Sequence, residues 1–278
     1  IPDDISLITK GKNSRSFLVI KKNKKFLFKY FKNNDFIKRN RLKAELNFLN
    51  LMIKGGFKNV PIPIKFNIEK NFILLSWLDG RNIKEINKSH IEKLIFFIKE
   101  LQSLRNNKLI NTIDNASEAC FNLNDHIKIV SFRLNLLEKR LGYLNFLPSD
   151  IYLELQKLVS LMSDELIKIL LDINTKDKKL LFLNLNCSQK ILSQSDIGFH
   201  NVFINNDDDL LFFDFEYAGW DDCFKMIADL ILQPEGCLDS EFFQISKTLL
   251  NNYIKTPEDK KRLEKTILLY RVKWTCIL

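Results

Sequence analysis

The residues with the most chemistry in them lie between Leu192 and Asp222, in the run LSQSDIGFHNVFINNDDDLLFFDFEYAGWDD. Asp196 is followed five residues on by Asn201, and after an apolar stretch come Asp214 and Glu216. An aspartate, an asparagine and a second aspartate are the minimum set for moving a phosphoryl group from Mg-ATP. One carboxylate orients the attacking hydroxyl, while the amide oxygen and the other carboxylate hold magnesium against the triphosphate. Magnesium is a hard cation that takes oxygen ligands, so Asn and Asp are the fitting side chains. The spacing Asp-x4-Asn alone recurs by chance in a chain rich in both residues. Leu210-Leu211-Phe212-Phe213 before Asp214-Phe215-Glu216 says more. It reads as a buried strand that ends in acid, with a carboxylate at the mouth of a sheet.

This segment resembles the motif of the aminoglycoside phosphotransferase and choline kinase families, relatives of the protein kinases. Their usual pattern is His-Gly-Asp-x4-Asn followed by Asp-(Phe/Trp)-Glu. The resemblance implies Asp196 as catalytic base, Asn201 and Asp214 as metal ligands, and Glu216 as the second acid of the metal site. Gln194 stands where the family has histidine, and Ser195 where it has glycine. In the wider kinase family that histidine is a structural brace, so its replacement bears on the packing of the loop. Glu216-Tyr217-Ala218-Gly219-Trp220 continues the likeness to choline-kinase-like enzymes. Protein kinases carry glycine where Glu216 stands, which points to a small-molecule acceptor. The run through Asp222 also resembles uncharacterised bacterial phosphotransferases of surface-polysaccharide loci.

Such a mechanism needs an upstream lysine on a strand, an acid on a helix to hold it, a loop over the phosphates and a linker for the base. Lys29 lies in the aromatic-rich strand pattern Lys25–Phe31. Five lysines between Lys21 and Lys29 make a solvated strand lysine the plain alternative. Glu45 adjoins the helical stripe Leu42, Leu46 and Leu49, which turns it partly inward, and a half-buried acid needs a partner. Lys29 is the expected one. The loop Thr9–Ser16, with Gly11, Asn13 and Ser14, resembles the family's Gly-Gly-x-x-Asn phosphate loop, with Lys10 at the first glycine position. In the family the stretch that matches Ser76, Trp77 and Leu78, before the Asp79-Gly80 turn, links the two lobes and hydrogen-bonds adenine. Tyr217, Trp220, Asp221 and Asp222 are the candidate substrate contacts. An aromatic ring beside carboxylates suits a cationic amine, and the same groups could hydrogen-bond a sugar. Against that stands a structural reading, in which Trp220 packs on the next helix and the aspartates cap it.

The elements around these residues fit the same plan. Residues 1–76 read strand, strand, strand, helix, strand, strand. Helices are expected over 84–104, 117–141 and 149–171, and again over 222–232, 240–254 and 257–276. The fold class is α+β: a two-lobed protein-kinase-like fold with a small β-rich N-lobe carrying one helix and a larger, mostly helical C-lobe. The domains are 1–76 for nucleotide binding, 77–83 as linker and 84–278 for the catalytic and metal loops.

Composition bounds the rest. A chain of 278 residues can bury a large core. Lys+Arg 43 against Asp+Glu 34 gives +9, but the lysines are scattered among Asn, Ile and Phe and carry no nucleic-acid motif. The cysteines, Cys120, Cys187, Cys223, Cys237 and Cys276, are odd in number and never form Cys-x-x-Cys, which excludes a zinc knuckle and a disulfide framework. His90, His126 and His200 are too dispersed for a metal cluster. No stretch is long enough to span a bilayer, and the expectation is a cytoplasmic protein without membrane insertion. The chain opens on Ile1 and is still in helical pattern at Leu278, which suggests fusion to or association with another domain.

The expectation is therefore a kinase using ATP (GTP as the alternative nucleotide) and Mg2+ to phosphorylate a hydroxyl of a small molecule, an amino alcohol such as choline or a sugar. The alternatives are a catalytically weak pseudokinase that only binds nucleotide, a kinase acting on a protein, and an aminoglycoside 3'-type phosphotransferase.

Overall fold

The computed structural model describes residues 2–9, 14–32, 39–144, 146–232 and 251–277. It divides into two compact units, Ile1–Ser117 with Leu192–Trp220, and Glu118–Ile191 with Asp221–Leu278. The class is α+β, with a β-sheet N-terminal region and a helical C-terminal region.

The first unit opens with strands β1 (Asp4–Thr9), β2 (Ser14–Lys21) and β3 (Lys24–Phe31), then helix α1 (Arg41–Lys54), β4 (Pro63–Asn67) and β5 (Phe72–Ser76). The five strands form one antiparallel sheet in the order β1-β2-β3-β5-β4. The β2–β3 hairpin turns at Lys22 and Asn23, both at positive φ, a conformation in which asparagine costs little. Helix α1 is capped by the Asn40 side chain, which accepts from Lys43 N, and buries Leu42, Phe48, Leu49 and Met52. A two-residue strand β6 (Arg81–Asn82) pairs with β8 (Val202–Ile204), which pairs with β9 (Leu210–Phe212). Helix α2 (Lys88–Ser103) starts four residues later than the pattern suggested, because Asn87 and His90 close a reciprocal cap there. Its Phe97 stacks on Phe212 of β9.

The second unit packs α3 (Leu123–Leu141), α4 (Ser149–Lys176), α5 (Cys223–Leu232) and α6 (Pro257–Thr275) around Val130, Leu134, Leu166, Ile173 and Leu269. Helix α3 begins six residues after the expected start, where Asn122 accepts from Asp125 N. Helix α4 runs five residues further than expected, since Ile173 keeps its apolar face buried to Lys176. The helix expected over 240–254 lies for the most part outside the described residues. No described helix is long and apolar enough to cross a membrane. Strands β7 (Lys190–Ser193) and β10 (Gly219–Asp222) complete the described strands.

Candidate active site

Lys29 stands in the middle of β3 and its side chain emerges on the face that α1 covers. Its Nζ lies 2.9 Å from Glu45 Oε2, 2.6 Å from Asp214 Oδ1 and 3.1 Å from Glu216 Oε2. The partner expected from the sequence is thus in place, and two further acids join it. Lys29 and Glu45 are almost wholly buried, Glu216 is buried, and Asp214 is 39% exposed, so the cluster opens to solvent on the Asp214 side.

Three carboxylates around one ammonium leave the cluster with excess negative charge. Burial opposes the charge on Lys29, but Asp214, Glu45 and Glu216 outweigh it and hold its pKa well above the ordinary lysine value. Burial, against the pull of Lys29, pushes Glu45 up to about 7. Carboxylate oxygens of Glu45, Asp214 and Glu216 lie within 4.8 Å of one another, a set of hard oxygen donors that fits a divalent cation.

Asp214 and the loop before Asp196 are held in strained backbone. Asp214 has φ 64° and Ser195 has φ 67°, the left-handed region that favours glycine. The position where the resembling family has glycine is therefore one whose backbone asks for it. Ser195 is tied down instead: its N–H donates to Ser193 Oγ at 2.9 Å and its hydroxyl to Ser117 O at 3.2 Å. Gln194 stands where the resembling family has histidine. Its Nε2 donates to Phe213 O at 2.6 Å and Asp214 O at 3.3 Å, bridging the two loops, and its Oε1 is buried without a hydrogen-bond partner. Gln102 clamps the segment upstream, exchanging two hydrogen bonds with the Leu192 backbone.

Asn201 donates through Nδ2 to Asp196 O at 2.9 Å and to Asp196 Oδ2 at 3.4 Å. That fixes the amide orientation and leaves Oδ1 as the acceptor of the side chain. His200 Nε2 lies 3.3 Å from Asp196 Oδ1, so the candidate base has a titratable neighbour in its own loop. A cavity of about 220 Å³ adjoins the cluster, with Lys29, Glu45 and Asp214 in its lining. Ile8, Leu27, Leu75, Phe203 and Phe213 give it apolar walls, and Ser76, Trp77 and Leu78 run along its edge. A more open cavity of about 820 Å³ in the same unit is lined by none of the predicted site residues.

The expected phosphate loop is represented by Ser14, the buried first residue of β2; Gly11 and Asn13 lie outside the described residues. Tyr217 is half-buried under the Arg41 guanidinium, 5.8 Å from its ring centre, and burial pushes its phenol up to about 12. Trp220 pairs through its backbone with Asp114 and Ala116, and Arg105 lies 5.5 Å over its ring. Gly219 is glycine because that neighbouring backbone is too close for a side chain: a Cβ would stand 2.6 Å from Ala116 N.

Asp221 and Asp222 require a correction. They were expected to contact substrate, but both are fully buried and their charges are consumed inside the second unit. Asp221 pairs with Lys225 at 2.5 Å. Asp222 caps α5 through Phe224 N at 2.6 Å and holds His126 and Arg262 at 2.9 and 3.0 Å. Burial opposes the charge on Asp222, but His126 and Arg262 prevail and hold its pKa below the usual range.

Arg39 escaped sequence reasoning. Its guanidinium donates to Ala218 O at 2.7 Å, to Asn115 O and to Glu216 O at 3.4 Å, gathering the backbone just after the acids. It sits between periodic elements, where no pattern marks it; its nearness to Arg41 at the start of α1 was the available signal.

No family model matches this sequence, and no curated protein matches it. Solved structures do match. The fold is that of the kinase-like small-molecule phosphotransferases. Among them, spectinomycin phosphotransferase in complex with ADP and spectinomycin is 12% identical, with a TM-score of 0.67 over 99% of this chain and 82% of that one. The choline kinase of Streptococcus pneumoniae is 16% identical, with a TM-score of 0.58 over 99% and 83%. A ternary complex of an aminoglycoside phosphotransferase with streptomycin and ATP is 17% identical, with a TM-score of 0.58 over 95% and 81%.

Proposed function

We propose that this chain is a small-molecule kinase that moves a phosphoryl group from ATP to a hydroxyl, with magnesium. The observation that carries the reading is Lys29, enclosed by Glu45, Asp214 and Glu216 beside a largely apolar cavity. The cluster carries surplus negative charge, which a divalent cation would offset.

On this reading the apolar cavity receives the base, with the 76–78 backbone along its edge. Glu45 holds the Lys29 ammonium for the phosphates. Asn201, Asp214 and Glu216 hold magnesium, which when bound neutralises charge developing on the phosphoryl oxygens. Asp196, 39% exposed, receives the acceptor hydroxyl and takes its proton. Residues 1–76 form the nucleotide-binding part, 77–83 the linker and 84–278 the part with the catalytic loops. Among the described residues Cys120, Cys187, Cys223 and Cys276 form no disulfide, which suits a reducing, ATP-rich cytoplasm.

The surroundings of Tyr217 and Trp220 narrow the acceptor. Each ring already has an arginine over it, and the Asp221 and Asp222 carboxylates are neutralised elsewhere. A quaternary ammonium or a polycation would meet the Arg41 and Arg105 guanidinium groups at these rings. A hydroxyl-rich acceptor such as a sugar fits better than choline or an aminoglycoside.

The test is ADP release from Mg-ATP across hexoses, heptoses, amino alcohols and aminoglycosides, with Asp196→Asn beside the wild type. Turnover on one acceptor, lost in the variant, supports the reading and names the substrate. A melting shift with Mg-ATP but no turnover on any acceptor would leave a pseudokinase. Neither shift nor turnover would remove nucleotide chemistry altogether.

A further inference from the structure

In an antiparallel sheet, residues paired across strands point to the same side. The register therefore sorts the five-stranded sheet into two faces. One carries Lys29, Leu27 and Leu75 towards α1 and the cavity. On the other, Ile5 pairs with Val19, Leu7 with Phe17, Phe17 with Phe28, Phe28 with Leu74 and Tyr30 with Phe72. This second face is apolar across four strands, yet it is open. Ile5 is 56% exposed, Leu7 45% and Tyr30 39%, and the phenylalanines are half-buried in one another. A continuous apolar face of this kind on a folded unit marks a contact surface.

Its rim identifies the contact. Lys21 pairs with Lys24, Arg15 with Tyr30 and Lys65 with Leu74, so four exposed cations stand on the same face, around the apolar centre. Among the described residues no strand position of this face is acidic. Asp3, just before β1, is bonded to Lys22 N at the hairpin turn. An apolar centre with a cationic edge is the complement of a bilayer surface carrying anionic headgroups, where lysines reach the phosphates while the centre meets the acyl boundary.

Two other occupants fit less well. A second copy docked through the same face would set the cationic rim against itself, because a two-fold contact is self-complementary. A single-stranded nucleic acid stacks its bases on open ring faces. Here Phe17, Phe28 and Phe72 lean on one another, with centroids 6.0 and 5.2 Å apart, and the most exposed members, Ile5 and Leu7, have no ring.

We propose that the outer face of the β1-β2-β3-β5-β4 sheet is a peripheral docking surface for anionic membranes. The surface lies on the side of the sheet away from the cavity, so the inference stands apart from the kinase reading. The test is co-sedimentation of the whole chain with phosphatidylcholine vesicles, with and without phosphatidylglycerol. Binding is expected only with the anionic lipid, falling as salt is raised. Lys21→Gln with Lys24→Gln should weaken it on the order of thirtyfold. Ile5→Ser with Leu7→Ser should do so by a similar factor, roughly thirtyfold, while the melting temperature of both variants stays near wild type, since all four side chains are exposed. Equal binding to both vesicles, no binding to either, or unchanged binding by the variants would overturn the proposal. So would a dimer seen by light scattering that Ile5→Ser with Leu7→Ser dissolves, or displacement of vesicles by single-stranded RNA.

Discussion

Replacing Glu45 with glutamine should stabilise the ligand-free protein at neutral and alkaline pH, although Glu45 is the ion-pair partner of Lys29. Removing one partner of a buried pair ordinarily costs about 3–5 kcal/mol, because a charge is left alone. Lys29 is not left alone here: Asp214 remains at 2.6 Å and Glu216 at 3.1 Å. The glutamine oxygen can still accept from Lys29, so the substitution removes surplus negative charge and little else. Glu45 has its pKa raised from 4.5 to about 7, by burial first. A group that binds its proton more tightly when folded contributes stability that is complete below its unfolded pKa and lost as pH rises through the folded one. The window is therefore about pH 4.5 to 7. At about 1.4 kcal/mol for each pH unit, the loss is about 3–4 kcal/mol, or roughly 6–16 °C in melting temperature for a chain of this size. Scanning fluorimetry from about pH 5 to pH 8 on wild type and Glu45→Gln would read the difference. The two curves should converge at the acid end and separate above neutrality, with the variant higher. A Glu45→Gln variant less stable than wild type at about pH 8 would refute the charge-excess argument.

Other consequences follow from individual contacts. Asp196→Asn should lower kcat by a factor on the order of 10²–10⁴ while the melting shift caused by Mg-ATP survives, which steady-state kinetics and fluorimetry together would show. Gln194→Ala removes the amide that holds Phe213 O and Asp214 O, so unfolding in urea should reveal a cost of about 1–3 kcal/mol. The same variant should raise the magnesium concentration for half-maximal activity about tenfold, and Gln194→His, which keeps a ring N–H donor, should recover most of both. Asp222→Asn should cost about 3 kcal/mol or more at neutral pH, because His126 and Arg262 lose a buried counter-charge. Since the Asp222 pKa is depressed in the fold, its contribution is present above the ordinary aspartate value of about 4 and fades as pH falls further. The wild type should therefore lose stability below about pH 4 more steeply than the variant, measured by urea titration at several acid pH values.

What could be read from the chain beforehand depended on whether a residue's role lies in a repeating pattern. Glu45 was legible because Leu42, Leu46 and Leu49 fix the face of α1, and an acid beside that face has to find a cation. Lys29 was legible because an aromatic strand surrounds it. The run from Asp196 to Glu216 was legible because its side chains suit one chemistry in one order. Arg39 acts through backbone carbonyls of residues far away in sequence, and no local pattern encodes such a partner. Asp221 and Asp222 look the same in sequence whether they face a substrate or cap a helix. Only the buried Lys225, His126 and Arg262 decide between the two.

Ser195 carries the point furthest. Its side chain gives no hint of a left-handed backbone, yet φ is 67° there and 64° at Asp214, nineteen residues on. The two turns are joined by the Gln194 amide, whose Nε2 reaches across to the carbonyls of Phe213 and Asp214. A strained φ persists only where neighbouring bonds over-determine it. Ser193 Oγ and Ser117 O supply those bonds for Ser195, and Gln194 supplies them for Asp214. The replacement of histidine and glycine by Gln194 and Ser195, which in sequence reads as decay of a motif, is in three dimensions a different set of hydrogen bonds holding the Asp214 turn in place.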